Sequence, residues 1–317
     1  METVLVTGGA GFIGSHLVEE YLKEGYKVVI IDDLSTGHME NLDQVIDNKN
    51  LFFYQVNLQD LEQLEQIIRE HRPSIINHHA AQKSIPYSMI DPVCDIKTNG
   101  IGLLNLLMLT KEYPIEKFIY VSSGGALSKE IIGDEKSKET DMPQLKSPYA
   151  ITKFAGENYV RIYAQQHNFE FTILRYANVY GPRQVADGEC GVVPIFVNNI
   201  LANKKSILMT YDDMPRGCTR DYVYIDDIVD INMRVTKKCV NDVINVGSGE
   251  ELPILDIYNK IEEVFGAAIG IDIKGPREGD IKRSVLDYSY ANETTGWEPK
   301  VDLEEGLNKL YTYIKKK

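Results

Sequence analysis

A tyrosine and a lysine stand four residues apart in SPYAITKFAGENYV, residues 147–160, a stretch that reads as the first turns of a helix. Residues at that interval are neighbours on one helical face, so the phenol of Tyr149 and the ammonium of Lys153 would lie side by side. A phenol ionises at about pH 10, too high for a base at neutrality, and a nearby ammonium stabilises the phenolate and lowers that value. Such a pair can take a proton from a hydroxyl and return it. It can also be nothing more than a ring packed on an aliphatic stem, and the rest of the chain has to decide between the two.

The first strand-to-helix turn gives such a base something to work with. TGGAGFIGSH, residues 7–16, satisfies GxGxxG through Gly9, Gly11 and Gly14, and GxxGxxG through Gly8, Gly11 and Gly14. Glycines there allow a tight turn, let the backbone approach a pyrophosphate and let the helix pack close to the strand. The helix start adds free N–H groups and a positive dipole end. The run follows the apolar strand TVLVTG and opens a helix expected over Phe12 to Glu24, closed by Gly25. It is answered about twenty residues on by Asp32, at the end of the second strand. A carboxylate at that place accepts hydrogen bonds from the adenosine ribose and repels a 2′-phosphate, so Asp32 and Asp33 together predict NAD in preference to NADP.

Around these residues short β-branched runs, KVVIID, LFFYQV, SIINHHA, KFIYVSS, FTILRYA and DVINVGS, alternate with longer periodic ones. Among the latter are LEQLEQIIREH, a helix near Leu103 to Lys111 and the helix holding Tyr149. Continuous apolar strands alternating with helices predict an α/β fold, a doubly wound parallel sheet of Rossmann type covered on both faces, with a smaller C-terminal α/β substrate domain. The expected division is a nucleotide-binding domain over 1–175, rejoined by about 218–248, and a substrate domain from 176–217 and 249–317. The long loops at 123–146 and 209–219 fall where binding loops are expected.

Composition narrows the partners. The 317 residues are 43% hydrophobic and 26% charged, enough for a proper core and unlike a disordered chain. A net charge of -13 without a basic patch argues against nucleic acid. No apolar run is long enough to span a bilayer and a strand pattern begins within three residues of Met1, so a cytoplasmic protein with no membrane partner is expected. Cys94, Cys190, Cys218 and Cys239 lack CxxC spacing, and His78 and His79 at a strand end would point to opposite faces, so no metal site is expected.

Seven ordered motifs, TGGAGFIG, HHAAQ, KTNGIGLLNLL, SPYAITKFAGE, LRYANVYGPRQ, RDYVYIDDIVD and INVGSG, extend into REGDIKRSVLDYSYANETTGWEP. With them the chain resembles the extended short-chain dehydrogenase/reductase family of NAD-dependent nucleotide-sugar epimerases and dehydratases, and within it most closely the UDP-glucose 4-epimerases. The resemblance implies Tyr149 as catalytic acid and base, Lys153 as its partner and a third hydroxyl at Ser123, with Ser122 as the alternative one residue back. It implies NAD contacts at Gly8, Gly11, Phe12, Ile13, Gly14, Asp32, Asp33, Asn57, Leu58, Lys83, Asn99 and Tyr176, besides Tyr149 and Lys153. A UDP-sugar would meet Lys83, Ser123, Tyr149, Asn178, Val192, Val193, Arg220, Arg277, Asp280 and Ser284. A diphosphate independently favours guanidinium donors, which are planar, charged and bidentate.

The reaction implied is inversion at C4 through a transient 4-keto sugar, on UDP-glucose and UDP-galactose, with the N-acetylated pair as a further candidate. In the 4-epimerases the position of Ser284 stands near the sugar's 2-substituent, where a small residue admits an N-acetyl group; alternatively its hydroxyl faces solvent at a strand start. A homodimer is expected through a four-helix contact of the Tyr149 helix with IGLLNLLMLTKEY, which Leu103, Leu104, Leu106, Leu107 and Leu109 make more apolar than one buried face requires. The chain departs from the family at Asn57, where an Asp is usual, and at Ser128 and Lys129, where Tyr-Gly commonly closes the serine loop. A UDP-glucuronate 4-epimerase, a 4,6-dehydratase and a noncatalytic dinucleotide sensor remain as alternatives. The dehydratases carry an Asp-Glu pair where this chain has Gly124 and Gly125, and a sensor would ordinarily have lost Tyr149 or Lys153.

Overall fold

Six of the apolar runs become strands of one parallel sheet: β1 (Thr3–Thr7), β2 (Lys27–Asp32), β3 (Leu51–Gln55), β4 (Ile75–His78), β5 (Lys117–Ser123) and β6 (Glu170–Tyr176). A seventh, Val243–Val246, lies beside β6, and the order across the sheet is Val243–Val246, β6, β5, β4, β1, β2, β3. The computed structural model describes residues 1–186, 191–276 and 281–316. Helices cover both faces, which is why β1 is buried at every position and its sequence shows no alternation. β3, at the edge, is only partly buried.

The chain builds outward from β1 through β2 to β3, then crosses back to place β4 on the other side of β1. That reversal opens a crevice at the carboxyl ends of β1 and β4, the place where open α/β sheets bind ligands. The glycine turn after β1 and the segment after β4 border it, joined by the His79 N–H donating to the Thr7 carbonyl at 3.2 Å.

The helix after the glycine turn runs Phe12–Lys23. The Tyr149 helix runs Pro148–His167; the Ser147 hydroxyl oxygen caps it by accepting the Ala150 N–H, Pro148 suits its first turn, and Asn168 ends it in the left-handed region at φ 57°. The helix expected near Leu103 to Lys111 starts earlier. Pro92–Asp95 continues through a wide π turn, Ile96–Ile101, into Gly102–Leu109. Leu103, Leu106, Leu107 and Leu109 do not form its spare apolar face. They are buried in the core with Ile76, Phe118, Tyr120 and Val160, because the extra residue of the π turn rotates the leucines onto the sheet.

In the second half the strands are short. Asn178–Tyr180 pairs with Tyr222–Tyr224, Thr219–Arg220 with Leu252–Pro253, and Ser206–Met209 with Ile271–Lys274. Asp221 ties this region together: its buried carboxylate accepts the Ser248 N–H at 2.7 Å and hydroxyl at 2.8 Å, the Gly249 N–H at 3.2 Å and the Leu286 N–H at 3.1 Å.

Candidate active site

The glycine turn closes only with glycine. Gly8 has φ 70°, and a Cβ on Gly14 would lie 2.1 Å from the Gly8 carbonyl oxygen. Gly11 caps the Phe12–Lys23 helix without a side-chain hydrogen bond, so the amides at its start, Phe12 and Ile13 among them, stay available to an anion. Asp32 is buried at the rim; its two oxygens accept the Ala10 and Leu34 N–H groups, each at 2.9 Å. Burial pushes its carboxyl up, opposed by those two amides. Asp33 is half-buried and accepts the Asn57 side-chain amide at 2.7 Å. A carboxylate at 57 would have faced that of Asp33; Asn57 donates to it instead. Leu58 packs against Gly102, where an added Cβ would come within 2.9 Å of the Leu58 Cβ. An uncapped helix start, a glycine turn and a carboxylate pair are a fitting donor and acceptor set for a dinucleotide.

Across the crevice Lys153 is buried, its Nζ donating to the Val121 carbonyl at 2.9 Å and lying 5.3 Å from the centre of the Tyr120 ring. Burial pushes its pKa down to about 8, while Asp95 and Glu157 hold it up. Tyr149, one turn earlier on the same face, is 9% exposed. The two serines at the end of β5 part ways. The Ser122 hydroxyl is buried and donates to Glu157 Oε1 at 2.7 Å. The Ser123 oxygen accepts the Ala126 N–H at 3.2 Å, capping the short helix Gly124–Leu127, and so keeps a proton to give.

A Cβ at Gly124 would meet Leu286 Cδ1 at 2.4 Å and the Tyr176 carbonyl oxygen at 3.0 Å, so the end of the Leu286 side chain would have to shift, whereas Gly125 faces open space. Ser128 and Lys129 close the loop in their own way. The Ser128 hydroxyl donates to the Gly124 carbonyl at 2.6 Å, and Lys129 pairs with Asp141 at 3.2 Å and Glu135 at 3.5 Å.

Several residues that sequence reasoning missed hold this arrangement. Glu157 is fully buried and takes Arg175 Nε and Nη2 on its two oxygens at 2.8 and 2.7 Å. Its signal was present, since Tyr149, Lys153 and Glu157 follow at equal four-residue steps. Asp95 carried no signal; fully buried, it accepts the Gln82 amide at 2.8 Å, the Asn99 amide at 3.1 Å and the Thr152 hydroxyl at 2.6 Å. Asn99 is turned inward, exchanging hydrogen bonds with the Gln82 backbone at 2.9 Å in both directions, and so braces the segment that presents the exposed Lys83. Tyr176 is buried, its hydroxyl accepting the Asn232 amide at 2.7 Å and lying 3.3 Å from His79 Nε2. Burial, then the charge of Lys153, push His79 down to about 3, which keeps it neutral. His78 turns to the opposite face and stacks on Tyr120.

In the second half Asn178 is exposed, and both its backbone and side-chain N–H groups donate to the Asp221 carbonyl, at 3.0 and 2.9 Å. Val192 is partly buried and Val193 is in the core, which leaves Val193 only its backbone to offer a ligand. Arg220 Nη1 donates to the Thr219 carbonyl at 2.8 Å and the Lys282 carbonyl at 3.3 Å. Ser284 is buried, with its N–H on the Thr219 carbonyl at 3.3 Å, so its side chain does not face solvent. Arg277, Asp280 and Cys190 lie outside the described residues. Cys94, Cys218 and Cys239 are free thiols.

Comparison with known proteins accounts for this set of parts. Residues 4–247 match the model of the NAD dependent epimerase/dehydratase family. The chain belongs to that family of NAD-dependent enzymes. At a finer level it is 37% identical over 317 residues to a UDP-glucose 4-epimerase of Mycolicibacterium smegmatis, with 99% of this chain and 98% of that protein covered. Its structure matches that of a UDP-glucose 4-epimerase with UDP-glucose from Thermotoga maritima, with a TM-score of 0.92, 42% identity and 99% of each chain covered. The UDP-glucose 4-epimerase of Thermus thermophilus in complex with NAD matches with a TM-score of 0.90 at 39% identity, again over 99% of each chain. Among the described residues no helix is long and apolar enough to cross a membrane.

Proposed function

We propose that the chain is a UDP-sugar 4-epimerase working through a transient 4-keto sugar on UDP-glucose and UDP-galactose and on the N-acetylated pair. The observation that carries this reading is the buried Lys153 ammonium, anchored on the Val121 carbonyl and one turn from Tyr149 on the same helix. NAD held at that turn supplies the acceptor and donor of one hydride. Tyr149 takes the proton of the sugar 4-hydroxyl and later gives it back, its phenolate stabilised by Lys153. Ser123 donates to the same sugar oxygen. Residues 176–217 and 249–317 form the half that anchors the nucleotide diphosphate, through Asn178, Arg220, Arg277, Asp280 and the backbone at Val192 and Val193, while the sugar is left loose enough to present its other face. Gly124 and Gly125, which offer no acidic side chain for elimination across C5 and C6, support epimerisation over dehydration. Incubating the purified protein with each UDP-sugar, without added cofactor, and reading the products by NMR tests the proposal; no conversion of any of them overturns it.

Two substitutions probe the ends of the site. Asp32→Asn keeps the shape but removes the charge, and should narrow the preference for NAD over NADP by roughly tenfold, about 1.4 kcal/mol, in calorimetry on stripped enzyme. An unaltered preference would assign the discrimination to Asp33. Ser284→Tyr places a phenol where the buried serine stands, and steric overlap filters more strongly than loss of one contact. It should abolish turnover of the N-acetylated pair while sparing UDP-galactose; equal loss on both would mean that Ser284 does not line the pocket beside the 2-substituent.

We also propose a homodimer, through residues other than the leucines. Ile96, Ile101 and Met108 on one helix, and Ile151, Tyr159 and Ile162 on the Tyr149 helix, are each 39–52% exposed, and an apolar two-helix face of this kind suits an isologous four-helix contact with a second copy. Light scattering at micromolar concentration should give twice the 35.9 kDa chain mass, falling to one chain in a Met108→Lys, Ile162→Lys double variant. A parent that is already monomeric refutes the contact.

A further inference from the structure

The segment that carries Ser284 is gripped from two sides by one neighbouring side chain. Arg283 donates from Nε to Glu251 Oε1 at 2.6 Å and from Nη2 to Glu251 Oε2 at 2.5 Å, and the same Nη2 reaches the Gly133 carbonyl at 2.8 Å. Glu251 also accepts the Thr219 hydroxyl. Thr219 lies in register with Arg283, its N–H donating to the Lys282 carbonyl at 2.9 Å and its carbonyl accepting the Ser284 N–H at 3.3 Å. On the far side, the Ser137 N–H donates to the Val285 carbonyl and the Asp287 N–H to the Ser137 carbonyl, both at 2.9 Å.

Gly133 and Ser137 belong to the long loop that leaves Ser123 and returns at the Tyr149 helix. Arg283 therefore joins three parts of the site: the Thr219–Arg220 strand, the loop between two catalytic residues, and the segment of Ser284. A bidentate guanidinium–carboxylate pair fixes direction as well as distance, which a lysine or a lone backbone bond does not. Elsewhere the loop is held by the buried Ile131, by the Ser137 pairing and by Glu139, which accepts the Asn245 N–H on its carboxylate and Arg175 on its carbonyl. At Gly133, beside the largely exposed Ile132, Arg283 is a side-chain tie to the Ser284 segment.

We propose that Arg283 is a positioning residue that straps the 128–146 loop onto the Ser284 segment and so sets which sugar 2-substituent the pocket accepts. The proposal rests on the reading of Ser284 as lining that pocket. With the strap intact, Ser284 is held at one height relative to Ser123 and Tyr149; without it, the segment keeps its backbone bonds, the Leu286 N–H on the Asp221 carboxylate and the Lys282–Asp213 pair, but loses its tie to Gly133, and the pocket becomes more permissive.

Arg283→Met keeps the length of the stem and removes both contacts, while Glu251→Gln weakens the ion pair and leaves Gly133 engaged. In the NAD-loaded enzyme, hydrogen exchange of peptides from 128–146 should quicken by about tenfold in Arg283→Met and by less in Glu251→Gln. The preference between plain and N-acetylated sugar pairs, as a ratio of kcat/KM, should narrow by roughly threefold or more, through KM, with kcat within about twofold of the parent. Unaltered exchange overturns the strap whatever the enzyme turns over. Faster exchange with an unmoved preference overturns its part in specificity. A parent that converts no UDP-sugar undoes the epimerase reading instead, and exchange alone then decides whether Arg283 holds the loop.

Discussion

Tyr149→Phe is expected to leave the fold and NAD binding intact and to lower kcat by roughly two to four decades, the usual weight of a positioned acid and base. The substitution removes one oxygen from a side chain that is already 9% exposed, so it opens no cavity and buries no charge. Product NMR at substrate saturation, with NAD content measured on the same sample, separates lost chemistry from lost cofactor. A kcat within a few-fold of the parent would remove the phenol from the proton path. The companion is Lys153→Met, which deletes the ammonium and fills its space. Without a positive charge beside it the phenol becomes harder to ionise, so the acidic limb of the pH–rate profile should move to higher pH.

Stability supplies an independent check on Lys153. Its folded pKa, about 8, lies below the ordinary 10.5, so between those values the unfolded chain binds more protons and the parent gains stability as pH rises. Below about pH 8 both states hold the proton and the slope vanishes. Lys153→Met should lack that gain, and a parent without any rise over this window would mean that the lysine is not desolvated.

The second large effect is structural and falls on the base of the site. Glu157→Gln leaves the buried Arg175 guanidinium without its carboxylate, and removing one partner of a buried ion pair costs about 3–5 kcal/mol. A melting point lower by roughly 5–15 °C is expected for a chain of this size. Replacing both residues with methionine should recover much of the loss, because the cost is that of the uncompensated charge rather than of the missing attraction. If the single variant melts with the parent, Arg175 has found another partner. The pair also sets register: Glu157 sits one turn past Lys153 and accepts the Ser122 hydroxyl, so it locks the Tyr149 helix to the end of β5 where Ser123 stands.

The apolar runs were sufficient to read the parallel sheet, because strands buried on both faces have no alternation to confuse with a helix stripe. The helix near Leu103 was read to within a residue of its α-helical start, but its leucines were put on the wrong side and the π turn before it was missed. A π turn shifts the angular phase of everything after it, and no residue type at Ile96–Ile101 announces one. Of the candidate site, Asn99 and Tyr176 were found as positions, but their inward engagement with Gln82 and Asn232 depends on segments distant in sequence.

By itself, then, the sequence determined the glycine turn, the acidic pair at Asp32 and Asp33, and the Tyr149–Lys153 face. Each is a matter of a few consecutive residues whose spacing matches the pitch of a helix or the end of a strand, so local geometry alone brings the groups together. Only the tertiary structure set the Ser122 hydroxyl on Glu157 and the Ser123 oxygen on the Ala126 N–H, brought Leu286 against Gly124, and joined Arg175 to Glu157 and Arg283 to Gly133. The last two pairs lie 18 and 150 residues apart, and Gly124 and Leu286 further still. Alternation along β5 dictates that its two serines face opposite ways, but which face becomes core and which becomes cleft is set by the helix that packs on it, and the spacing of residues in the chain holds no record of that choice.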